Sequence, residues 1–342
     1  MAIGLWSAAA AVAMVAAAGA QTPPPQTASA AQKDSGSYDG VPTADKATAK
    51  KLKAEDNVAL IGHRDVGKGL DFYSQQKEIA LGRGLADQVM QDSKVITDPV
   101  VNEYINRLAQ NLVRNSDAKV PFTVHVLQDD SVNAFALPGG FFFVNSGLIL
   151  NSQEEDELAG AMAHEIAHVA ARHGTRNATK AELLQIAAIP AVILAGPGLA
   201  GMAAEQGANL GIPLTYQHYS RGAEQEADWL GVQYLWKAGY DPQGLARAFE
   251  VIEAQEKQKP GIISRMFASH PQTPDRVALT EKEIATILPA RPDYIVTTSD
   301  FQTVQARLRA LLKSKIETGV KVPGGAVVAE PTKPAGPPVI KH

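Results

Sequence analysis

The pattern of apolar and polar positions predicts a body built mainly of helices. Apolar residues recur at three- and four-residue spacing over residues 75–91 and 99–115, as expected for helices with one buried face. In all, helices are predicted at residues 75–91, 99–115, 152–173, 221–238, 242–255, 275–285 and 301–314. Acidic residues crowd the first turns of the helix at 152–173, Arg172 and His173 lie near its end, and Gly174 is the predicted C-cap.

A short region in the first half of the chain predicts strands instead. Residues 121–127 (PFTVHVL) alternate between apolar and polar side chains. Residues 130–145 then pass through Pro138-Gly139-Gly140 into Phe141-Phe142-Phe143-Val144, which predicts two strands joined by a tight turn. The expected fold class is therefore α+β, mostly helical with a small β-sheet.

The two ends of the chain differ from the body in composition. The first twenty residues are apolar and end in Ala18-Gly19-Ala20, which is typical of a secretory signal peptide. The alternative is an uncleaved membrane anchor, because about twenty apolar residues can span a bilayer. Both interpretations place the protein in the periplasm or elsewhere outside the cytoplasm.

Composition also indicates the order of segments. Residues 21–56 resemble a disordered linker, and residues 319–342 a disordered proline-rich tail. Between them we expect the main folded domain at 57–290 and a helical extension at 291–318. An alanine-rich apolar stretch at 186–203 is interrupted by prolines. It predicts a helix and loop packed over the functional site of the folded domain, with a membrane-dipping loop as the alternative.

Charge and cysteine content exclude several functions. The chain has 32 basic and 36 acidic residues and no long basic run, which argues against a nucleic-acid partner. Cysteine is absent, which excludes disulfides, thiolate metal sites and a cysteine nucleophile. Any bound metal must therefore be held by His, Asp or Glu.

The helix at 152–173 contains the chemistry-bearing pentapeptide His164-Glu165-Ile166-Ala167-His168. Histidines four apart project from one helix face and can occupy two corners of a zinc tetrahedron. Glu165 lies beside them, where a carboxylate can act as general base on a water molecule. The alternative is a pair of surface histidines, but the apolar flanking residues predict a buried helix.

A catalytic zinc needs a third protein ligand. A third histidine six residues beyond His168 is excluded, since that position is Gly174 and His173 comes one residue early. Glu224 and Asp228 lie four apart on a later helix, so one can bind zinc while the other hydrogen-bonds a ligand histidine.

Four ordered motifs together resemble a known family. They are His164–His168, Ser220-Arg221-x-x-Glu224-x-x-Ala227-Asp228, the stretch from Asn133 to Gly140, and Ser269-His270-Pro271-x-Thr273-x-x-Arg276. This combination resembles the gluzincin zinc metallopeptidases related to HtpX and the CAAX prenyl endopeptidase. Within that family it is most similar to the soluble periplasmic BepA-like branch. The resemblance covers roughly residues 78–288.

The resemblance implies a zincin-type domain with one Zn²⁺ per chain. It implies Glu224 as the third ligand and Asp228 as the partner of a ligand histidine. It also implies that His270 lies near the metal, where it either occupies the fourth position in a latent state or stabilises the oxyanion. Arg276 either orients a carboxylate or carbonyl near the site or forms an ordinary ion pair.

Four residues are candidates for holding an extended substrate or its oxyanion, namely Asn133, Gly139, Gly140 and Arg276. In such folds Phe141–Asn145 could pair with the substrate by strand addition. The alternative is that the three phenylalanines belong to the core.

The expected function is a metalloendopeptidase that hydrolyses misfolded or stalled cell-envelope proteins. Its partners would be unfolded or misassembled polypeptides, with peripheral association with the membrane or with outer-membrane assembly machinery. Two alternatives are a largely latent, zinc-bound chaperone or assembly factor, and a membrane-associated protease of the same family.

Overall fold

The structure, a computed structural model, describes residues 53–183, 219–258, 270 and 275–317. The predicted leader, the apolar stretch at 186–203 and the proline-rich tail lie outside these residues. Contacts with the body already begin just after residue 53, because Glu55 accepts a hydrogen bond through its carbonyl from Arg64 and Asp56 accepts one from Trp229. Within the described part of the chain, no helix has both the length and the apolar character needed to cross a membrane.

The helices lie close to their predicted positions because several of their starts are encoded locally. They are α1 Gln75–Asp92, α2 Pro99–Arg114, α3 Ser146–Asn151, α4 Glu155–Ala170, α5 Arg221–Ala238, α6 Gln243–Gln258, α7 Asp275–Ile287 and α8 Ser299–Glu317. Asp98 caps α2 by accepting from the backbone N–H of Val101 at 3.2 Å, and Ser220 caps α5 by accepting from Ala223 at 3.3 Å. The short helix α3 was not predicted.

The end of α4 differs from the prediction. The helix stops at Ala170, and the residue with left-handed backbone is Arg172, with φ of 55°. Gly174 is not the C-cap, because residues 173–183 already form another helical segment. A non-glycine residue tolerates this conformation when tertiary contacts hold it, and the Arg172 guanidinium donates to Glu78 at 2.9 Å and to the Tyr73 carbonyl at 2.6 Å.

The three strands form one sheet in the order β1-β3-β2, with β1 at Thr123–Leu127, β2 at Ala134–Leu137 and β3 at Phe141–Asn145. β3 is parallel to β1 and antiparallel to β2. Side chains along β3 alternate between two apolar clusters. Phe142 and Val144 join the main core, and Phe143 packs with the cluster that α1 covers. The phenylalanines are therefore core residues.

Helix α4 runs through the centre of the core and is buried along its whole length. Small residues allow its neighbours to approach closely: a Cβ added at Gly160 would lie 2.8 Å from the backbone of Gly244 at the start of α6. Helices α5 and α6 both pack on α4. The last helix, α8, buries Phe301, Val304 and Leu308 against α2 and α3. The predicted α+β class is confirmed, and the HExxH helix is its central element.

Candidate metal centre

Helix α4 delivers His164, Glu165 and His168 into the interior. All three side chains are buried, with at most 2% of their surface exposed. One turn of helix separates the two histidines, and their Nε2 atoms lie 3.1 Å apart. The apolar flanks that predicted burial, Met162 and Ile166 among them, belong to the main core. Imidazoles and a carboxylate in such surroundings need polar partners.

Helix α5 provides the acidic partner. A carboxylate oxygen of Glu224 lies 3.5 Å from Nε2 of His164, and the other lies 3.6 Å from Nε2 of His168. In a tetrahedral zinc site with bonds of about 2.0–2.1 Å, neighbouring ligand atoms are about 3.3–3.4 Å apart. The spacing of these three donors therefore matches the spacing that a zinc ion requires.

His270 is the fourth member of the group. Its Nδ1 lies 3.3 Å from Nε2 of His164 and 3.0 Å from Oε1 of Glu224. Ligand atoms of His164, His168, Glu224 and His270 all lie within 4.8 Å of one another. His270 also places its Nε2 3.4 Å from Oε1 of Glu165. It thus touches both the ligand set and the candidate base.

Hydrogen-bond partners fix where the ring protons lie. Nδ1 of His164 is 2.9 Å from Oδ1 of Asp228, and a carboxylate at this distance favours a hydrogen on this nitrogen. His173 presents Nε2 to a Glu226 oxygen at 3.0 Å, which leaves its Nδ1 as an acceptor for Nδ1–H of His168 at 2.9 Å. Nε2 of His164 and Nε2 of His168 therefore face each other. Two such nitrogens lie this close only when a cation, either a proton or a metal ion, lies between them, and this geometry fits a metal.

The charges in the cluster also favour a cation. Burial lowers the pKa of His164, but the carboxylates of Asp228 and Glu224 outweigh it and raise that pKa to about 9. Burial raises the pKa of Glu224, but the imidazoles of His270 and His164 outweigh it and lower that pKa well below its ordinary value. Glu224 is therefore an anionic donor, and the nitrogen of His164 that faces it attracts positive charge.

Arg276 acts on the site through Asp228. Its guanidinium makes a bidentate ion pair with Asp228, from Nε at 2.8 Å and from Nη2 at 2.6 Å. Nη2 also lies 3.2 Å from Glu224, and the guanidinium stacks over Phe249 at 4.4 Å from the ring centroid. This contact is an ion pair made to a carboxylate that lies beside His164, so it is compatible with both roles predicted for Arg276.

Glu165 has the position and the environment of a general base. Its Oε2 accepts a hydrogen bond from the backbone N–H of Ala136 on β2 at 3.3 Å. Burial raises the pKa of Glu165 above its ordinary value, although the nearby His270 and His164 oppose this. A raised pKa brings a carboxylate closer to neutral pH, where it can both accept and return a proton.

The proposed pairing of a substrate with Phe141–Asn145 is wrong. β3 is the central strand, bonded to β1 on one side and to β2 on the other, so it has no free edge. Among the described residues, the outer edge of β2, which faces Glu165, pairs with no further strand. The Asn133 carbonyl accepts a hydrogen bond from the Asn145 N–H at 3.0 Å. Because the direction of the backbone groups alternates along an antiparallel strand, those of Ala134 and Ala136 face away from β3.

Gly139 and Gly140 form the turn at the far end of β2. Both have positive φ, 76° and 87°, which favours glycine. The Gly139 N–H donates to Glu78 at 3.2 Å, and a Cβ there would meet Cα of Ile79 at 2.6 Å. The structure therefore places this turn against α1. The other predicted site residues come together in one cluster, which contains His164, Glu165, His168, Glu224, Asp228, His270 and Arg276.

Three residues around the cluster were not predicted to contribute. They are His173, Glu226 and Tyr219. The ring of Tyr219 stacks on His168 with 4.1 Å between centroids and lies 5.5 Å from His270. Only His173 had a usable signal, since a histidine five residues after an HExxH motif can fold back if the helix bends there.

Comparison with known proteins agrees with this geometry. The model of peptidase family M48 matches residues 97–284. The beta-barrel assembly-enhancing protease of Escherichia coli is 31% identical over 246 residues, covering 70% of this chain and 49% of the relative. The mitochondrial metalloendopeptidase OMA1 of Schizosaccharomyces pombe is 32% identical over 180 residues, covering 52% of each chain. The metalloprotease YcaL of Escherichia coli is 29% identical over 186 residues, covering 54% of this chain and 71% of that protein.

Proposed function

The chain belongs to peptidase family M48, and on that basis we propose that it is a zinc-dependent metalloendopeptidase with one zinc ion per chain. His164, His168 and Glu224 would hold the ion. The observation that carries the proposal is the set of buried donors spaced 3.1–3.6 Å apart, in which two imidazole Nε2 atoms face each other. Since the chain spans about half the length of the Escherichia coli relative, its activity is inferred from its own residues.

The residues around the ion divide the chemistry among them. When bound, zinc polarises the scissile carbonyl and lowers the pKa of a water molecule. Glu165 accepts the proton of that water and returns it to the leaving amine. Asp228, held by Arg276, keeps the ring of His164 oriented. Arg276 is engaged by Asp228 and Glu224 through Nε and Nη2, so its proposed role is to position these two carboxylates.

An extended polypeptide would bind along the free edge of β2. The backbone groups of Ala134 and the carbonyl of Ala136 can pair with it by strand addition, while the Ala136 N–H, which donates to Glu165, places this edge at the proposed base. Asn133 begins the edge, and the Gly139-Gly140 turn ends it. The proposed substrate class is unfolded or extended chains, since a folded protein rarely offers a free strand.

The printed names of the relatives suggest where such substrates arise. The Escherichia coli relative is named for beta-barrel assembly. We therefore propose misfolded or stalled cell-envelope proteins as substrates and the periplasm as location, with a leader at residues 1–20 and a linker before the catalytic domain at 57–290. Peripheral association with outer-membrane assembly machinery is part of the same proposal, as are the helical extension at 291–318 and the tail at 319–342.

The direct test removes the base and keeps the metal. In Glu165→Gln we expect casein cleavage to fall by about 10²–10⁴-fold, the usual contribution of a general base, with zinc content unchanged. Glu250→Gln, at an exposed position on α6, is the matched control and should cleave normally. Chelation should abolish cleavage, and added zinc should restore it. Undiminished cleavage by a metal-loaded Glu165→Gln protein would refute the assignment.

A second candidate function rests on His270. This imidazole lies within contact distance of three partners, His164, Glu224 and Glu165, so it can close the fourth ligand position. A protein held in that state would be a largely latent, zinc-bound chaperone or assembly factor. In His270→Ala, a rise in casein cleavage supports latency, whereas a loss at equal zinc content supports a catalytic role.

A further inference from the structure

His173 lies behind His168, on the side away from the cluster of donors. Its Nδ1 is 2.9 Å from Nδ1 of His168, and its Nε2 is 3.0 Å from Oε2 of Glu226. The side chain is buried, with 3% of its surface exposed. A buried imidazole with both ring nitrogens engaged has one fixed orientation.

The order of hydrogen bonds runs in one direction. Glu226 is a carboxylate and accepts, so Nε2 of His173 carries the hydrogen. Nδ1 of a neutral His173 therefore has a lone pair, and it accepts from Nδ1–H of His168. The Nε2 lone pair of His168 is then left for a metal. Each step follows from the one before because a neutral imidazole has only one N–H.

The backbone places His173 at this point. Helix α4 stops at Ala170, and the left-handed residue Arg172 turns the chain so that the next side chain returns to His168. Glu226 is in turn held from two sides: the Gly67 N–H donates to its Oε1 at 3.2 Å, and the Arg176 guanidinium lies 3.5 Å from its Oε2. Glu226, at the end of this series of hydrogen bonds that lies away from the metal site, is therefore held in place by contacts of its own.

We propose that His173 is a positioning residue for the metal: it holds His168 in the tautomer and ring orientation that binds zinc through Nε2, with Glu226 as its anchor. The inference rests on the proposed zinc site. Groups that orient a ligand histidine usually account for about 10–100-fold in metal affinity. His173 differs from Asp228, which performs this task for His164 with a negative charge.

The experiment measures zinc affinity by competition with a chromophoric chelator, so it does not depend on peptidase activity. We expect His173→Phe, which can neither accept nor donate, to weaken zinc binding by about 10–100-fold. His173→Gln can accept from His168 and donate to Glu226, and it should stay within about threefold of wild type. His63→Gln, at an exposed histidine, is the matched control and should leave the affinity unchanged.

Two further variants keep the test decisive if His173→Phe does not fold. His173→Leu has no polar group and a smaller side chain than phenylalanine, so it should lose the affinity in the same way. Glu226→Leu removes the anchor and should weaken binding, whereas Glu226→Gln should retain more of it. Equal zinc affinity in wild type, His173→Leu and Glu226→Leu would overturn the role of His173. If the wild type itself binds no zinc, the proposed function fails first.

Discussion

The two imidazoles that face each other at the centre are held from behind in different ways. His164 rests on a carboxylate, Asp228 at 2.9 Å, which is neutralised by the bidentate guanidinium of Arg276. His168 hydrogen-bonds a neutral imidazole, His173, at 2.9 Å. The charged group, Glu226, is bonded to His173 and not to His168 itself. One support is thus ionic and the other is a relay of hydrogen bonds.

The supports also differ in the elements that build them. Asp228 and Arg276 lie on two regular helices, α5 and α7, which meet at this point. The other support depends on irregular backbone: the bend at Arg172 and the loop at Gly67, which has φ of 88°. We infer that the first is sensitive to loss of charge and the second to small shifts of the backbone.

The largest effect is expected from removing the ionic support. Among the described residues, Asp228→Ala leaves Glu224 as the remaining carboxylate beside the buried Arg276, and it takes away the acceptor for His164. Breaking a buried ion pair on one side costs about 3–5 kcal/mol, so we expect a loss of this size in the free energy of unfolding, together with loss of zinc. Urea unfolding in the presence of a chelator, and then with zinc, measures both.

An exposed ion pair offers the matched control. Arg107 and Asp300 form a contact of the same kind at 2.6 Å, but their side chains are 59% and 61% exposed. Asp300→Ala should therefore change the free energy of unfolding by less than about 1 kcal/mol. If Asp228→Ala is no more destabilising than Asp300→Ala, the ionic support does not matter as described.

An intermediate effect is expected at the loop behind the second support. In Gly67→Ala, the new Cβ would lie 2.6 Å from Nη2 of Arg176 and still closer to the Ala171 carbonyl, at a backbone conformation that favours glycine. We expect a loss of about 2–3 kcal/mol in the free energy of unfolding and weaker zinc binding, because Glu226 loses its place. Thermal unfolding and chelator competition check the two parts.

Gly84→Ala is the control for this loop. Gly84 lies within α1 and a Cβ there meets nothing within 4 Å, so alanine should stabilise the helix by up to about 1 kcal/mol. If Gly67→Ala matches Gly84→Ala in both the free energy of unfolding and the affinity for zinc, then the support of His168 by His173 and Glu226 tolerates movement of the backbone.

The smallest effect is a pH dependence on the side of the ionic support. Glu283 lies on α7 with Arg276, and burial raises its pKa to about 10, with Asp228 and Asp56 adding to the shift while a contact with Gln233 opposes it. Between its ordinary value of 4.5 and about 10, the folded state holds one more proton than the unfolded state, so stability falls as the pH rises. Glutamine has no carboxyl group to bind this proton, so Glu283→Gln lacks this part of the pH dependence. From pH 7 to pH 8, wild type should lose about 1.4 kcal/mol relative to this variant.

Urea unfolding at pH 6, 7 and 8 measures this difference. Glu281→Gln changes an exposed glutamate on the same helix and should follow the pH dependence of wild type. Parallel curves for wild type and Glu283→Gln would contradict the expected protonation of Glu283.

The sequence predicted the parts of the site that depend on local spacing. The HExxH helix, the acidic helix and their shared polar faces follow from residues four apart, and the apolar neighbours of His164 correctly indicated burial. The bend after α4 was missed because local preference favours Gly174 as the cap. Contacts of Arg172 with Glu78 and Tyr73, far away in sequence, decide that position instead.

Strand order could not be predicted from the same evidence. Phe141–Asn145 is rich in phenylalanine, and an apolar strand can be a docking edge or a buried centre. Its central place follows from pairing with β1 on one side and β2 on the other and from packing into both apolar clusters, which join residues distant in sequence. Likewise, the partnership of His173 with Glu226 joins residues 53 positions apart and leaves no local pattern.

The hydrogen bond from Gly67 to Glu226 has a consequence for how the protein is made. It joins residues 159 positions apart, and the last described member of the cluster, Arg276, comes another fifty positions later. During synthesis from the N-terminus, the Gly67 loop is made long before Glu226 and Arg276 are. Contacts so distant in sequence form late in folding. We therefore expect that an incompletely synthesised chain has no metal centre, so that the proposed hydrolytic activity requires the complete fold.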